Sequence, residues 1–369
     1  MTKDTLYVGL DTDKKHIDVA LAEPLPQGEL RYYGKIANDK TALLRVIKRL
    51  RKDGRALRLC YEAGPCGYAI HRWLEGVAGV TCEVIAPSMT PRRPGDRVKT
   101  NRRDCLALAR LLRAGELTAV WVPDAAHEAM RDLVRGRAAA VADLVRCRQR
   151  IASLLLRQHL RYAGKPWTKK HRAWLGGLAL PEAAHRLLLG ELLDALDQAE
   201  ARRDRLSDHL AERAPTWSLA WLVEALQVLR GYQLINAATI VAEIGDPRRF
   251  ENPRQLMGYV GLGVSEHSTG ERVWRGHITK AGNGRARKAL VEAAWTYARP
   301  AKAAKAEVAR QAPAVRAIAD KARHRLGDRY RKLVTRGKLP VVAVTAVARE
   351  SLGFIWAVAR AAAPDAPQR

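Results

Sequence analysis

Four polar residues in the first third of the chain have the types and spacing that a metal-dependent site needs. Asp11 and Glu62 each end a short apolar segment, and Asn101 and Asp104 stand at the start of a predicted helix. Residues three apart on a helix share one face, so Asn101 and Asp104 point the same way. Carboxylates from distant segments repel one another, and a divalent cation relieves that repulsion. Their oxygen atoms suit Mg²⁺ or Mn²⁺, ions that also bind phosphates.

Most of these residues also have a simpler explanation. An aspartate at a strand end, such as Asp11, commonly forms a turn, and Asp104 in the first helical turn interacts favourably with the helix dipole. Glu62 stands between a predicted strand and a Gly-Pro turn, where it has no obvious local role. Taken together, the residues indicate a phosphoryl-transfer site, in which two cations activate a nucleophile and stabilise a leaving oxygen.

A second candidate set lies in a small-residue segment of the carboxy-terminal half, which we expect to be a loop. Ser268 and Thr269 precede Gly270 there. A hydroxyl nucleophile needs exposure and nearby positive charge to stabilise a pentacovalent phosphate. The nearby cations are Arg272, Arg275 and Lys280. An ordinary Ser/Thr/Gly turn is the alternative, and composition alone favours it.

Residues 1–123 are predicted to form the α/β domain that positions the first set. Apolar periodicity predicts three strands, a helix, a strand, a helix, a strand and a helix, at residues 6–10, 17–21, 30–36, 40–51, 57–61, 67–74, 82–86 and 102–112. The first two strands form a hairpin, so the sheet is mixed, which disfavours a plain doubly wound fold. This succession is that of the ribonuclease H fold, in which the first and fourth strands are neighbours. Asp11 and Glu62 would therefore converge.

The rest of the chain is predicted to be mainly helical. Apolar residues in 124–162 follow the spacing of a coiled coil, although two arginines in the seam make a bundle helix a close alternative. The basic face of the region 124–215 is the expected surface for phosphate contacts. We assign these contacts to Arg146, Arg148, Arg150, Arg157, Lys169 and Lys170. Residues 216–300 form the expected serine-bearing domain, and residues 301–369 are expected to be helices that pack onto the body.

The composition indicates a polyanionic partner. Among 369 residues, 65 Lys and Arg face 38 Asp and Glu, a net charge of +27; such a field suits DNA, RNA or an anionic membrane. No apolar run approaches the roughly 20 residues that cross a bilayer, and no signal peptide is recognisable. We therefore expect no membrane partner and a cytoplasmic, nucleoid-associated protein. Five unpaired cysteines fit a reducing compartment.

Segments throughout the chain resemble one family of bacterial insertion-sequence transposases, described as bridge-RNA-guided recombinases. That family has an N-terminal RuvC-like DEDD domain and a C-terminal serine-bearing domain. In the first domain the likeness is carried by Asp11 and by the segments 61–68 and 98–104. In the second it is carried by the segments 242–246, 261–262, 265–270, 276–283 and 354–357. The segments follow one another in the order that the family has.

The resemblance implies a role for each matching residue of the first set. Asp11, Glu62 and Asp104 match three of the family's four metal-binding acids. Asn101 stands where the family usually has the fourth acid, an aspartate. An amide offers an oxygen but no charge, so metal affinity or cleavage would be weakened here.

The implied function is a DNA transposase or recombinase that cuts and rejoins element ends and target DNA, guided by a structured RNA that the element encodes. Metal-bound carboxylates would help activate the serine. The family's serine precedes a glycine, the place of Thr269, but we favour Ser268 because a secondary hydroxyl is more hindered. Such a composite site implies a homo-oligomer, a dimer or tetramer. Two alternatives stay open: a metal-dependent junction endonuclease that uses the first domain alone, and a catalytically inactive RNA- or DNA-binding protein.

Overall fold

The computed structural model describes residues 5–24, 28–91, 100–270, 272–300 and 310–363. The chain divides into two units, Met1–Val122 and Pro123–Arg369. The first is a mixed α/β unit and the second is mainly helical, as predicted. The further boundaries expected near residues 215 and 300 fall inside the second unit.

A five-stranded mixed sheet forms the centre of the first unit. Its strands are β1 (Thr5–Thr12), β2 (His16–Ala22), β3 (Leu30–Ala37), β4 (Ala56–Glu62) and β5 (Val80–Ile85). The order is β3-β2-β1-β4-β5, with β1 antiparallel to β2 and parallel to β4. Asp13 closes the β1–β2 hairpin, because its Oδ1 accepts the backbone N–H groups of Lys15 and His16, each at 2.7 Å. The predicted mixed sheet, with the first and fourth strands as neighbours, is confirmed.

Helices cover both faces of this sheet. They are α1 (Lys40–Leu50), α2 (Ala69–Leu74) and α3 (Asn101–Ala114). Successive residues of a strand point to opposite faces, and the apolar residues sort accordingly. Leu10 and Leu59 belong to the core that includes residues of α1 and α2, whereas Tyr7 and Cys60 pack with α3. We call the side that carries Tyr7 and Cys60 the α3 face.

Nine helices and a hairpin make up the described part of the second unit. The helices are α4 (Ala125–Arg157), α5 (Lys169–Gly176), α6 (Ala183–Arg213), α7 (Ala220–Leu226), α8 (Leu234–Ile244), α9 (Pro253–Tyr259), α10 (Gly284–Ala294), α11 (Pro313–Thr335) and α12 (Pro340–Ala361). The apolar seam of α4 contacts α6, where Leu144 and Ile151 are buried with Leu196. The seam thus packs against a helix of the same chain, and the predicted coiled coil is not confirmed.

The segment predicted to be a loop is a β-hairpin, so that prediction is wrong. Its strands are β6 (Val264–Thr269) and β7 (Arg272–Ile278), which pair antiparallel. The serine, threonine and glycine content suggests a loop, but cross-strand pairing depends on β7, which lies later in the sequence. Gly270, with φ of 59°, begins the turn in a conformation that glycine adopts at little cost.

One helix within the described residues, α12, is long and apolar enough to cross a membrane, with a mean hydropathy of 1.6. The expectation that no apolar run approaches membrane-spanning length is therefore wrong for this helix. A buried side of α12, with Val344, Val347 and Leu352, belongs to the main core of the second unit. Core helices of soluble proteins have the same length and composition, and α12 occupies such a place.

Candidate active site

Three acidic residues lie at one end of the α3 face. Asp11 on β1 is directly opposite Asp18 on β2, so their side chains project to the same side of the sheet. Leu10 is level with Tyr61 in the parallel β1–β4 pair, and the next residue of each strand is Asp11 or Glu62. The fold thus brings Asp11 and Glu62 to neighbouring strand ends, together with a third acid, Asp18, that sequence reasoning missed.

Gly9 allows α3 to lie against β1 beside these strand ends. A Cβ atom at Gly9 would be 2.2 Å from the carbonyl oxygen of Cys105 and 2.5 Å from the backbone nitrogen of Ala109. No side chain fits in this contact, so the glycine permits the close approach of helix and strand. The first turn of α3, which carries Asn101 and Asp104, is thereby held on the same face as the acids.

The thiol of Cys105 reports how close the acids are to α3. Burial first, and then the nearby carboxylates of Asp18 and Asp11, together raise the pKa of Cys105 to about 12. A thiol with this pKa stays protonated at neutral pH. Because both carboxylates raise the pKa of this one thiol, Asp18 and Asp11 both lie near Cys105 of α3.

Asp18 is only 3% exposed, which is unusual for an aspartate. The hydroxyl of Tyr32 donates to its Oδ1 at 2.5 Å, and the Nδ2 of Asn101 donates a long hydrogen bond to its Oδ2 at 3.5 Å. Lys35 Nζ lies 3.8 Å from the same Oδ2. The hydrogen bond to Asp18 is the main cause that raises the pKa of Tyr32 to about 12. The signal in the sequence was an aspartate between two apolar residues of a strand.

Glu62 and the residues of α3 provide the other candidate ligands. Glu62 accepts a hydrogen bond from the hydroxyl of Thr90 at 3.0 Å. In the part of the chain that the structure describes, no three His, Cys, Asp or Glu side chains are close enough to hold a metal ion. The donors nevertheless fit Mg²⁺ or Mn²⁺ by type, because Asp11, Glu62 and Asp104 offer carboxylate oxygens on one face. Binding would require these side chains to move toward a common point.

Ser268 and Thr269 are exposed at the end of β6. Ser268 Oγ donates to Glu266 Oε1 at 2.8 Å, and Arg275 Nε donates to Glu266 Oε2 at 3.3 Å. These two hydrogen bonds, that from Ser268 first, hold the pKa of Glu266 below its usual range. Arg272 pairs across the hairpin with Thr269. Glu266, which sequence reasoning missed, therefore orients the hydroxyl of Ser268 as an ionised acceptor.

The predicted phosphate-binding cations of α4 and α5 differ in their surroundings. Arg150, Arg157, Lys169 and Lys170 are exposed, and Arg157 donates to Ser153 Oγ at 2.9 Å. Arg146 is exposed and forms an ion pair with Asp143. Arg148 is half-buried, donates to Glu200 of α6 at 2.9 Å and lies over the ring of Trp167. Its contacts are those of a residue that joins two helices.

Two segments that carry the resemblance meet in a buried network. Glu243, at the end of α8, accepts two hydrogen bonds from Arg135 of α4, each at 2.8 Å, and one from Asn283 Nδ2 at 2.8 Å. The Oδ1 of Asn283 in turn caps α10 by accepting the N–H groups of Arg285 and Ala286. Glu243 and Asn283 thus join α4, α8 and α10, which is a structural role.

Comparison with known proteins identifies the family to which the chain belongs. A transposase family of the DEDD type matches residues 8–160, and the transposase IS116/IS110/IS902 family matches residues 223–309. The putative transposase y4qE of Sinorhizobium fredii is 48% identical over 360 residues, which are 96% of this chain and 89% of that protein. The chain belongs to the IS110-type family of transposases.

A more distant relative of this IS110-type transposase covers almost the same length. The transposase for insertion sequence element IS1533 of Leptospira borgpetersenii is 28% identical over 349 residues, 91% of this chain and 99% of that protein. The chain is accordingly a DNA transposase of an insertion sequence. The DEDD match over residues 8–160 suggests a ribonuclease H-like fold and a dependence on a divalent metal for the first unit.

Proposed function

We propose that this transposase cuts and rejoins DNA with two groups of residues: carboxylates of the first unit that bind a divalent cation, and a serine nucleophile of the second. One observation supports the carboxylates most strongly. The paired strands β1 and β4 end side by side, so that Asp11 and Glu62 occupy neighbouring positions. The close contact at Gly9 adds Asn101 and Asp104 from α3 to the same face.

The cation ligands in this proposal are the carboxylates of Asp11, Glu62 and Asp104 and the amide oxygen of Asn101. Asp18 is a positioning residue in this group. Because Asn101 donates its Nδ2 hydrogen to Asp18, its Oδ1 is left available to a cation. When bound, Mg²⁺ or Mn²⁺ supplies neutralisation of phosphate charge and stabilisation of the leaving oxygen.

The nucleophile in this proposal is Ser268. Its Oγ forms a bond to phosphorus while the bond from phosphorus to one DNA oxygen breaks, which leaves a phosphoseryl link and a strand end. The serine proton passes to solvent, and the leaving oxygen takes up a proton. Glu266 orients the hydroxyl, since it accepts the Ser268 hydrogen bond at 2.8 Å. Arg272 and Arg275 add positive charge beside the phosphate.

The partners in this proposal are double-stranded DNA and a structured guide RNA that the element encodes. The net charge of +27 supports polyanion binding, and Arg150, Arg157, Lys169 and Lys170 present exposed cations for it. We further propose that the protein acts as a homo-oligomer and is associated with the nucleoid in the cytoplasm. A metal-dependent junction endonuclease without a serine step is the alternative function.

A strand-transfer reaction on supercoiled DNA, analysed on a denaturing gel, tests the proposal. The wild type should give cut DNA and a covalent protein–DNA adduct. Ser268→Ala should lose the adduct, while Thr269→Ala and the exposed control Ser218→Ala should keep it. Asp11→Ala and Glu62→Ala should lower cleavage by at least about 100-fold while DNA binding changes only a few-fold, because cations supply most of the affinity. Glu75→Ala, an exposed acid of the same unit, is the matched control.

The possible outcomes separate the three functions. Cuts without an adduct would support the junction endonuclease, and binding without cuts would support an inactive binding protein. If Asp11→Ala loses binding and cleavage equally with an unchanged circular dichroism spectrum, the cation-binding assignment is wrong. If Thr269→Ala loses the adduct and Ser268→Ala keeps it, the nucleophile is Thr269.

A further inference from the structure

A groove of about 770 Å³ in the second unit has a lining that the proposed function does not use. The base of the β6–β7 hairpin, α9, α11 and the start of α12 contribute to it. We call it the α11–α12 groove. Its charged residues are five cations and one carboxylate, namely Arg254, Lys280, Arg325, Arg329, Arg349 and Glu350. Only Lys280 of these was expected to contact nucleic acid.

The positive charge of the groove exceeds what its single carboxylate can neutralise. Glu350 forms ion pairs with both Arg325 and Arg329, the second at 3.8 Å. Among the described residues, no acid lies within ion-pair distance of Arg254, Lys280 or Arg349. Cations on one concave surface create a positive potential that attracts a polyanion. Binding of the polyanion also relieves the repulsion among the cations.

Lys280 enters the groove from an uncommon backbone conformation. Its φ is 56°, in the left-handed region that residues other than glycine rarely adopt. The backbone N–H of Lys280 donates to the carbonyl oxygen of Gly261 at 3.0 Å, which holds the segment in place. Strained positions that the surrounding structure maintains cluster at ligand-binding sites. The conformation sets the direction in which the side chain of Lys280 leaves the backbone.

The same groove also presents apolar side chains to solvent. Val341 and Val342, in the first turn of α12, are 58% and 50% exposed, and Met257 of α9 lies beside them in the lining. A duplex offers phosphates at its surface but keeps its bases stacked, so it covers these side chains only if a base step is first unstacked. An unpaired strand offers both phosphates and the apolar face of a base. The combination therefore favours an unpaired strand over a duplex.

We propose that the α11–α12 groove binds an unpaired nucleic-acid strand. Phosphates contact Lys280, Arg329 and Arg349, and one unstacked base covers Val341 and Val342. The β7 strand that lines the groove belongs to the hairpin of Ser268, so the bound strand lies along the element that carries the proposed nucleophile. The binding chemistry is common to single-stranded DNA and RNA.

Fluorescence anisotropy of the full-length protein tests the charged contacts. The probes are an unpaired DNA strand of about 16 nucleotides, the RNA of the same sequence and the corresponding DNA duplex. Arg329→Gln combined with Arg349→Gln should weaken binding of an unpaired strand about 10-fold. It should also lower the slope of log affinity against log salt by about 1.4, at about 0.7 for each contact to a single strand. The relative affinities for the DNA and RNA probes identify which strand the groove prefers.

The matched control is Arg316→Gln combined with Arg331→Gln, which removes the same charge from exposed positions of α11 outside the groove lining. Val341→Ser combined with Val342→Ser tests the apolar contact, and both side chains are exposed enough to change without unfolding the protein. This variant should bind unpaired strands at least 3-fold more weakly and the duplex as the wild type does.

Three results would overturn the proposal. They are an unchanged salt slope in the double arginine variant, equal losses for duplex and unpaired strand in the valine variant, and a change of oligomeric state in that variant. The last would show that a second copy of the chain covers the valines. All binding is measured in EDTA without cleavage, so a failure of the proposed cation or serine chemistry leaves this test unaffected.

Discussion

Among the described residues, each unit contains one buried carboxylate, and the two differ in the number and length of their hydrogen bonds. Glu243 in the second unit is 1% exposed and accepts three hydrogen bonds at 2.8 Å, two from the guanidinium of Arg135 and one from Asn283. Asp18 in the first unit has a single short partner, the hydroxyl of Tyr32 at 2.5 Å. Its contacts to Asn101 and Lys35 are long, at 3.5 and 3.8 Å.

The difference indicates that Glu243 has a structural role, whereas Asp18 lies beside the candidate cation site. Burial raises the pKa of Glu243, but the hydrogen bonds from Arg135 and Asn283 lower it by more, so it ends below its usual range. Its charge is thus satisfied by two neighbouring elements and is not available for chemistry. Asp18 is compensated by groups that include Asn101, a candidate ligand. A substitution of Asp18 should therefore alter the position of Asn101 in the candidate site. A substitution of Glu243 should instead weaken the packing of α4, α8 and α10.

The largest effect that this comparison predicts is the loss of stability on removing Glu243. Glu243→Ala leaves the guanidinium of Arg135 and the amide of Asn283 without their acceptor. We expect the free energy of unfolding to fall by about 2–3 kcal/mol, less than for a fully buried ion pair, because the side chain of Arg135 is 41% exposed. Urea denaturation followed by circular dichroism measures it. The control is Glu292→Ala on α10, whose exposed pair with Lys288 should contribute less than about 1 kcal/mol.

If Glu243→Ala and Glu292→Ala lower the free energy of unfolding equally, Glu243 does not have the structural role assigned to it. An intermediate loss, with a similar loss in Asp18→Ala, would show that both carboxylates serve mainly to stabilise their units. Glu243→Ala should be clearly more destabilising than Asp18→Ala, because it removes two hydrogen bonds of 2.8 Å from a guanidinium, whereas Asp18→Ala leaves only neutral hydrogen-bond donors and one half-exposed lysine without an acceptor.

A second, smaller effect is the dependence of stability on acid pH. The folded-state pKa of Glu243 lies below the unfolded value of about 4.5, so its contribution to stability is complete above pH 4.5. As the pH falls further, the unfolded chain binds this proton first and stability decreases through the folded-state pKa. Glu243→Gln should flatten the decrease by at most about 1.4 kcal/mol per pH unit, the effect of one proton. Urea denaturation between pH 5 and pH 3 measures both slopes, and parallel slopes would contradict the assignment.

The strands and helices of the first unit could be predicted because their signals are local. Short apolar runs and helical periodicity depend on neighbouring residues only, and Asp11 and Glu62 are conspicuous at the ends of such runs. Asp18 could not be assigned in this way. Its burial and its partners depend on Tyr32 from β3 and Asn101 from α3, which come together only in the folded sheet.

The errors in the second unit have the same origin. The residues around Ser268 have the composition of a loop, but pairing with β7 makes them a strand and brings Glu266 to the serine. The phosphate contact of Arg148 stays a prediction, but its neighbours, Glu200 of α6 and the ring of Trp167, could not be identified from the sequence of α4 alone. In each case the surroundings of the residue depend on a segment distant in sequence. The spacing of residues along the chain does not indicate such contacts.

The smallest predicted effect concerns why position 101 holds an amide in place of the family's usual acid. Asn101→Asp would set a second carboxylate about as far from Asp18 as the present 3.5 Å contact. In EDTA we expect this variant to lose about 1 kcal/mol of stability through repulsion. The double variant, Asn101→Asp with Asp18→Asn, has the amide at position 18 and the carboxylate at position 101. It should recover at least half of the lost stability. Urea denaturation of the wild type, both single variants and the double variant completes the cycle.

Calorimetry of Mg²⁺ binding, which does not depend on cleavage, tests whether exchanging the carboxylate and the amide between positions 18 and 101 changes the affinity of the cation site. With the carboxylate on α3 and an amide on β2, the double variant offers four anionic ligands at the positions proposed for the cation. It should therefore bind Mg²⁺ several-fold more tightly than the wild type, because Mg²⁺ prefers anionic oxygens. Asp18→Asn alone should bind it no more tightly, since its one amide oxygen accepts from Tyr32 and an NH2 group then replaces the oxygen that accepts from Asn101. If the stability effects are additive and Mg²⁺ affinity is the same in all four proteins, Asp18 does not orient Asn101, and it is a structural carboxylate like Glu243.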